Sequence, residues 1–359
     1  MRKWLVIWVF NVLAASSVAA AAPAFHGLLR GRDLTPFGYL RLDMRPGSPS
    51  ALEPGRWNIE TDIAYQNTWA TSPEVEKYLN GLPGRRELGP AELQAIRELP
   101  GENYLVDLEL AQVDVAVNYQ VTEKWGVFAI LSGASFGGGL LDGTIENFHK
   151  LIRNPKFGRP AAARNDYNVL FDLKSSQYAT FEAPGHGGWL DPVVGVRYTT
   201  AFPDARWRLM LETAVKLPLS DRDAALSTGH TDVGLQASLQ RFSGRNAFYL
   251  NVAAVYYAGL DGFVTEPQRV LPTLVVGYER RLTPRTNLIF QGYVSESVYQ
   301  REQTDLSELT GAKVLLSGGV HHRRGTHLLS FALTENIGNI NNTPDIGVQF
   351  GWSINPGWN

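Results

Sequence analysis

Five side chains in the first half of the sequence have the types that acid–base or metal chemistry uses. Asp107 and Glu109 stand two apart, and Asp142, Glu146 and His149 follow at helical spacing. Carboxylates with one imidazole suit an oxygen-ligated cation such as Ca²⁺, or proton transfer. The plainer use of the same groups is to cap a helix, satisfy loop backbone and face solvent. A second set, Glu60, Asp62, Asp114, Arg197, Arg208, Glu212, Lys216, Glu279 and Lys313, occupies alternate positions of otherwise apolar segments. A third, His321, His322 and His327, straddles a short turn; strand alternation sends His321 and His322 to opposite faces, which weakens a metal role. No phosphate-binding loop is present, and cysteine is absent, which excludes disulfides, thiolate metal sites and a cysteine nucleophile.

The elements that would position these groups are legible from periodicity. Arg206 to Leu217 places Trp207, Leu209, Leu211, Thr213, Val215 and Leu217 on one face, and Arg208, Met210, Glu212, Ala214 and Lys216 on the other. Trp57 to Trp69 and Ile346 to Ile354 split the same way. The whole chain yields twelve strands: 57–69, 104–119, 125–136, 189–200, 206–217, 231–242, 246–258, 271–282, 286–297, 311–321, 327–335 and 346–354. Long connections, led by 70–103 and 137–188, alternate with short ones at 120–124, 201–205, 243–245, 283–285 and 322–326. A soluble sandwich has no reason to gather its long loops at one end, whereas an outer-membrane barrel has short periplasmic turns and long extracellular loops. The expected fold is therefore all-β, a transmembrane antiparallel up-and-down barrel of about twelve strands with a short helix in a long extracellular loop.

Composition agrees. Lys plus Arg (33) nearly balances Asp plus Glu (35), giving no electrostatic footprint for nucleic acid, and charged residues are only 19%. Arg2 and Lys3, the apolar run from Trp4 to Ala15 and the small residues to Ala24 form the three parts of a secretory signal peptide. The expected organisation is a signal peptide over 1–24, a periplasmic segment over 25–56 and the barrel over 57–359. Tyr119, Trp125, Phe202, Trp207, Phe242 and Phe248 flank short turns, and Trp69, Phe136, Tyr256, Tyr257 and Tyr299 lie near long loops, as two interfacial girdles would.

Two features complicate the pattern. Asp107 and Glu109 share the apolar phase of Ala111, Val113, Val115 and Val117, so either the strand rises beyond the bilayer or a bulge flips its phase near Leu110. The second long loop carries Ile145, Phe148, Leu151 and Ile152 at helical spacing, and a hairpin can follow over 167–173 and 177–182. The first long loop repeats a helical pattern after Pro90, with Leu93, Ile96 and Leu99 on one face. Such helices need an apolar surface, and the barrel mouth or lumen is the expected one.

The order of motifs, Arg32-Asp33-Leu34, Tyr104-Leu-Val-Asp-Leu-Glu109, Gly138-Gly-Leu-Leu-Asp-Gly143 running into Ile145-Glu-Asn-Phe-His149, then Glu335-Asn336 and Asn342-Thr-Pro-Asp345, resembles domain-of-unknown-function family 3187. The resemblance implies an outer-membrane barrel and supplies no substrate. One departure is the C-terminus, which runs past Trp352 to Trp358-Asn359 where barrels usually finish on an aromatic residue.

The functional expectation is passage or binding of a small solute, controlled by the long second loop. The alternatives are an outer-membrane enzyme acting on lipid or envelope substrates at the mouth, and a structural or surface-binding barrel without transport. Asp107, Glu109, Asp142, Glu146 and His149 are expected to converge at the outer mouth, with Ca²⁺ as the one cofactor that they would suit. The alternating charged row either selects a permeant or cross-links an occluded lumen. Expected partners are outer-membrane lipid and lipopolysaccharide of a Gram-negative bacterium, the barrel-assembly machinery and a small solute.

Overall fold

The structure is a computed structural model that describes residues 25–47, 53–152, 157–180, 187–202, 206–260 and 267–355. The expected signal peptide and Trp358 lie outside the described residues. Fifteen strands are formed: β1 (Trp57–Thr71), β2 (Asn103–Gln120), β3 (Trp125–Gly137), β4 (Asn168–Asp172), β5 (Gln177–Thr180), β6 (Gly188–Trp189), β7 (Val193–Ala201), β8 (Trp207–Lys216), β9 (Asp232–Ser243), β10 (Asn246–Tyr256), β11 (Val270–Arg281), β12 (Thr286–Ser295), β13 (Lys313–Arg324), β14 (His327–Asn336) and β15 (Ile346–Ile354). Among the described residues four α-helices, α1 (Pro73–Gly81), α2 (Pro90–Arg97), α3 (Asp142–Ile152) and α4 (Ser307–Thr310), lie in the long connections.

Strands β1 to β3 and β7 to β15 make a twelve-stranded antiparallel barrel. It is closed because β1 pairs both with β2, from Trp57 opposite Tyr119 to Thr71 opposite Leu105, and with β15, from Ile59 opposite Ile354 to Asn67 opposite Ile346. Its surface is inverted relative to a soluble protein. Leu131, Leu211, Leu235, Phe290, Leu329 and Phe350 point outward and exposed, while Asp62, Asp114, Glu212, Lys216, Glu279 and Lys313 point inward and buried. No described helix is long and apolar enough to cross a membrane. An apolar exterior on a closed ladder, which leaves no backbone group unpaired at an edge, is the outer-membrane solution. The protein is an outer-membrane barrel.

β2 is 18 residues long, where about 9–11 suffice to span a bilayer. Its register against β1 is unbroken from Tyr119 to Leu105, so no bulge flips the phase. Asp107 and Glu109 face outward because this end of the strand rises above the lipid. The hairpin of β4 and β5 pairs with the raised end, Asn103 opposite Asp172 and Asp107 opposite Asn168, and extends the wall further.

The expected periplasmic segment is where the structure departs most from the sequence reading. Residues 25–47 run inside the barrel. Phe25 stacks on Phe242 at the short-turn end, with ring centroids 5.6 Å apart. Phe37 sits at the loop end, edge-on to Tyr104, Phe171 and Tyr299 at 6.2, 5.7 and 6.4 Å. The chain then turns back past Gly234 and Ser238 of β9, and residues 55 and 56 hydrogen bond to Gln120 at the turn end. The physical reason is that Leu28, Leu29, Leu34, Phe37, Leu42 and Met44 would be wetted in the periplasm and are buried here.

The outer girdle is also different. Trp57, Tyr119, Trp125, Phe202 and Phe248 are exposed around the short-turn end, but Trp69, Tyr257 and Tyr299 are buried in cores above the bilayer, and Phe136 packs against one of them. Phe242 is turned inward against Phe25. Of the loop-end set Tyr256 is exposed as a girdle residue would be, and the others serve the loop-end cores.

Candidate functional site

Two polar constellations result, one inside the barrel and one on its outer wall. Inside, the alternating charged row meets residues 25–47. Arg30 reaches Glu60 at 3.2 Å, Arg32 reaches Asp114 at 3.3 Å and Arg45 pairs with Asp62. Lys313 pairs with Asp33 and donates to Thr35 Oγ1 at 3.1 Å. Glu279 accepts the backbone N–H groups of His26 and Gly27 at 3.0 and 3.1 Å. Lys216 bridges Asp232 at 2.9 Å and the Leu40 carbonyl at 2.8 Å. Arg197 and Glu212 pair with each other at 2.7 Å, and Arg208 lies over the Phe242 ring. The row is cross-linked to the chain's own N-terminal segment.

That segment adds no strand to the sheet. Its backbone is held largely by side chains of the wall: Leu29 N–H donates to Gln291 Oε1, Leu34 N–H to Gln66 Oε1 and Leu42 N–H to Asp232 Oδ2, each at 2.9 Å. Two voids beside it, next to Arg30 and Glu60, have volumes of about 50 and 30 Å³, room for a few waters. Arg30, Arg32, Asp33, Arg41, Arg45, Gln66 and Gln291 are partners the sequence reading missed. Its available signal was a set of large apolar side chains and four arginines in a stretch given no surface to bury them.

The second constellation gathers Asp107, Glu109 and Asp142, with Glu146 nearby, but on the outward face of raised β1 and β2, not at the mouth. Gly139, at φ 77°, turns the chain so that the Leu140 and Leu141 N–H groups donate to Glu109 at 2.7 and 2.6 Å, and a Cβ there would strike that carboxylate. Tyr65 Oη also donates to Glu109. Asp142 accepts from Asn165 N–H at 2.7 Å and from Arg159 at 2.9 Å. Arg159, buried and stacked on Trp69, also donates to Asn67 Oδ1 at 2.8 Å and pairs with Asp345. Its guanidinium stands where a bound cation would neutralise Asp142 and Asp345, and among the described residues no His, Asp or Glu group is arranged to hold a metal.

Glu146 pairs with Arg85 and, at 2.6 Å, with Arg164. Burial would raise its carboxyl, but those two donors outweigh it and hold it below the ordinary range. The His149 side chain lies outside the described residues, as do those of Phe148, Leu151 and Ile152; Ile145 is buried.

Helices α1 and α2 dock on this same outer face. Val75 and Leu79 of α1, absent from the sequence reading, and Ile96 of α2 pack with Trp69, Leu105 and Leu170. Two further motifs resolve simply. His321 faces inward to the Gly27 carbonyl at 3.1 Å, and His322 outward to Thr286 Oγ1 at 3.0 Å. Gly133-Ala-Ser-Phe-Gly137, which the sequence reading passed over, has the spelling of a serine nucleophile elbow, but Ser135 is still paired within β3, opposite Ala111, and does not sit on the turn from β3 into α3.

The sequence matches the family described as protein of unknown function (DUF3187) over residues 100–355. The chain belongs to this family. Among curated proteins no sequence matches it. The fold of this DUF3187 protein is similar to that of an outer-membrane channel from Pseudomonas putida F1, at 13% identity and a TM-score of 0.53 over 87% of this chain and 100% of the other. It is less similar to the toluene transporter TodX of P. putida, at 12% identity and a TM-score of 0.41 over 84% and 90%. At such identities the likeness concerns the fold alone.

Proposed function

We propose that the protein is a gated outer-membrane channel for a small solute, with residues 25–47 as its plug. The observation that carries the reading is how the plug is seated. It fills the lumen, yet its backbone is held by side-chain acceptors and ion pairs, not by the sheet ladder, so it can leave without opening a single strand pair. Buried ion pairs contribute little net stability, because desolvation offsets their attraction. Apolar packing of Phe25, Leu28, Leu29, Leu34 and Phe37 already fills the space, and a purely structural filling would need no ion pairs beside it. Passage is also the role named for the P. putida F1 neighbour, an analogy of fold.

The expected control by the second loop becomes a subordinate role. Tyr167, Val169 and Phe171 of that loop pack with Phe37 and Tyr39 at the plug tip, so the loop would close the outer mouth over a plug that moves below it. Outer-membrane lipid surrounds the barrel; lipopolysaccharide and the assembly machinery are partners this reading adds. Planar-bilayer recording tests it. The intact chain should rest closed, and an Arg30, Arg32 and Arg45 to Gln triple variant that keeps its heat-modifiable mobility should conduct. A variant so folded that stays silent would remove the channel reading.

A further inference from the structure

The strongest unexplained feature of the lumen is the acidic stripe that the plug covers. Asp62 and Asp114 are direct cross-strand partners on the inward face of β1 and β2, and Glu60 is the next inward residue. Like charges directly opposite repel, so the stripe needs cations. In the closed state its three carboxylates are ion-paired with three guanidinium groups from the plug, while Arg197 of the wall, paired with Glu212, borders the void beside Glu60. Two of the plug's three are held loosely: 3.2 Å for Arg30 with Glu60 and 3.3 Å for Arg32 with Asp114, against the roughly 2.7–2.9 Å usual for charge-assisted bonds.

A second observation is independent of the carboxylates. The side-chain carbonyl oxygens of Asn58, Gln112 and Gln236, on the same inward wall and buried, accept no hydrogen bond among the described residues. The wall around the stripe therefore offers acceptors without donors, and the unpartnered donor beside them, Arg45 Nε, belongs to the plug and not to the wall; a buried acceptor without a donor is costly. A void borders Arg30, Asn58, Glu60 and Asp62. What the wall lacks is a compact group with positive charge and several N–H donors.

We propose that this stripe is the binding site for the channel's solute, and that the solute is an organic cation bearing a guanidinium or amidinium group, which takes the seats of the plug's arginines. The proposal rests on the channel reading for how the solute arrives. Arg30, Arg32 and Arg45 then act as an internal competitor: ligand and plug exclude each other, so ligand binding favours the open state. Because the plug is tethered, its effective concentration is on the order of millimolar or above, and a free ligand must compete at that level.

The test uses the intact protein and arginine amide as the probe, with hydrogen exchange of residues 25–47 as the readout. Arginine amide should reach a given acceleration of exchange across the plug at about one tenth of the ionic strength that NaCl requires, a difference of about 1.4 kcal/mol in competition. Equal acceleration by the two salts, or none by either, overturns the proposal. A second measurement separates it from the channel reading. In bilayers, the Arg30, Arg32 and Arg45 to Gln variant should pass cations in preference to anions and be blocked by arginine amide, and adding Asp62→Asn and Asp114→Asn should abolish both effects. Anion preference in the first variant overturns the cation site while leaving a channel. A silent variant removes the channel while hydrogen exchange still decides whether the stripe binds the cation.

Discussion

Asp62 and Asp114 face each other directly across β1 and β2, both pointing into the lumen, and each is neutralised by an arginine of residues 25–47. Removing one partner of such a buried pair leaves an uncompensated charge, at a cost of roughly 3–5 kcal/mol. Arg45→Met should therefore lower the unfolding midpoint of the barrel in urea, and Arg45→Met with Asp62→Asn should recover most of the loss. If the double variant is no more stable than the single, repulsion across this pair is not what the arginine relieves.

The outer cluster depends in the same way on Arg159, which joins Asp142, Asn67 and Asp345 while stacking on Trp69. Lysine can supply the charge but neither the planar fork nor the stack. Arg159→Lys should expose residues 138–180 to protease while the barrel keeps its heat-modifiable mobility, because no ladder bond is lost. Unchanged protection would mean that the apolar contacts of α1 and α2 alone hold the loops.

Much of this was legible in the sequence because a barrel strand must show oil on one face. Trp57, Ile59, Ile63 and Tyr65 of β1 and Ile346, Val348, Phe350, Trp352 and Ile354 of β15 do so, and the structure pairs the two strands to close the ring. The inward row was legible for the same reason. Its partner was not: residues 25–47 have no period, because a chain held by side chains follows the contour of the wall instead of a helix or a pleat. The outer cluster was half legible. Asp107 and Glu109 on an apolar phase announced something unusual, but only the register shows that the strand outruns the bilayer, and Arg159 is marked by no spacing at all.

Asp345 gives the outer cluster a pH dependence. Burial, opposed by Arg159 and reinforced by Asp142, pushes its carboxyl up to about 6 from an ordinary value of 3.8. A raised carboxyl binds its proton more tightly folded than unfolded, so its contribution to stability is full at and below the ordinary value and is lost as pH rises through about 6. Protease half-lives of the 138–180 region should therefore shorten between about pH 4 and pH 6, and Asp345→Asn should remove that slope. A slope that persists in the variant would assign the titration to another group.

The last prediction concerns movement of the plug, and the absence of native cysteine makes it clean to test. A Cβ added at Gly277 of β11 would meet the Leu28 side chain directly, so Leu28→Cys with Gly277→Cys places two thiols in contact across the plug and the wall, with the leucine that would have collided removed. Disulfides persist in the oxidising compartment that this barrel faces. If residues 25–47 must leave the lumen for conduction, the oxidised form should stay closed even when the Arg30, Arg32 and Arg45 to Gln changes are added, and a reductant should restore the current of the triple variant. Both arms compare one polypeptide with itself, so a difference in folding cannot produce the result. Full conductance in the oxidised, cross-linked form would mean that solute passes beside a stationary plug, and the gate would then have to be sought among Tyr167, Val169 and Phe171 of the second loop.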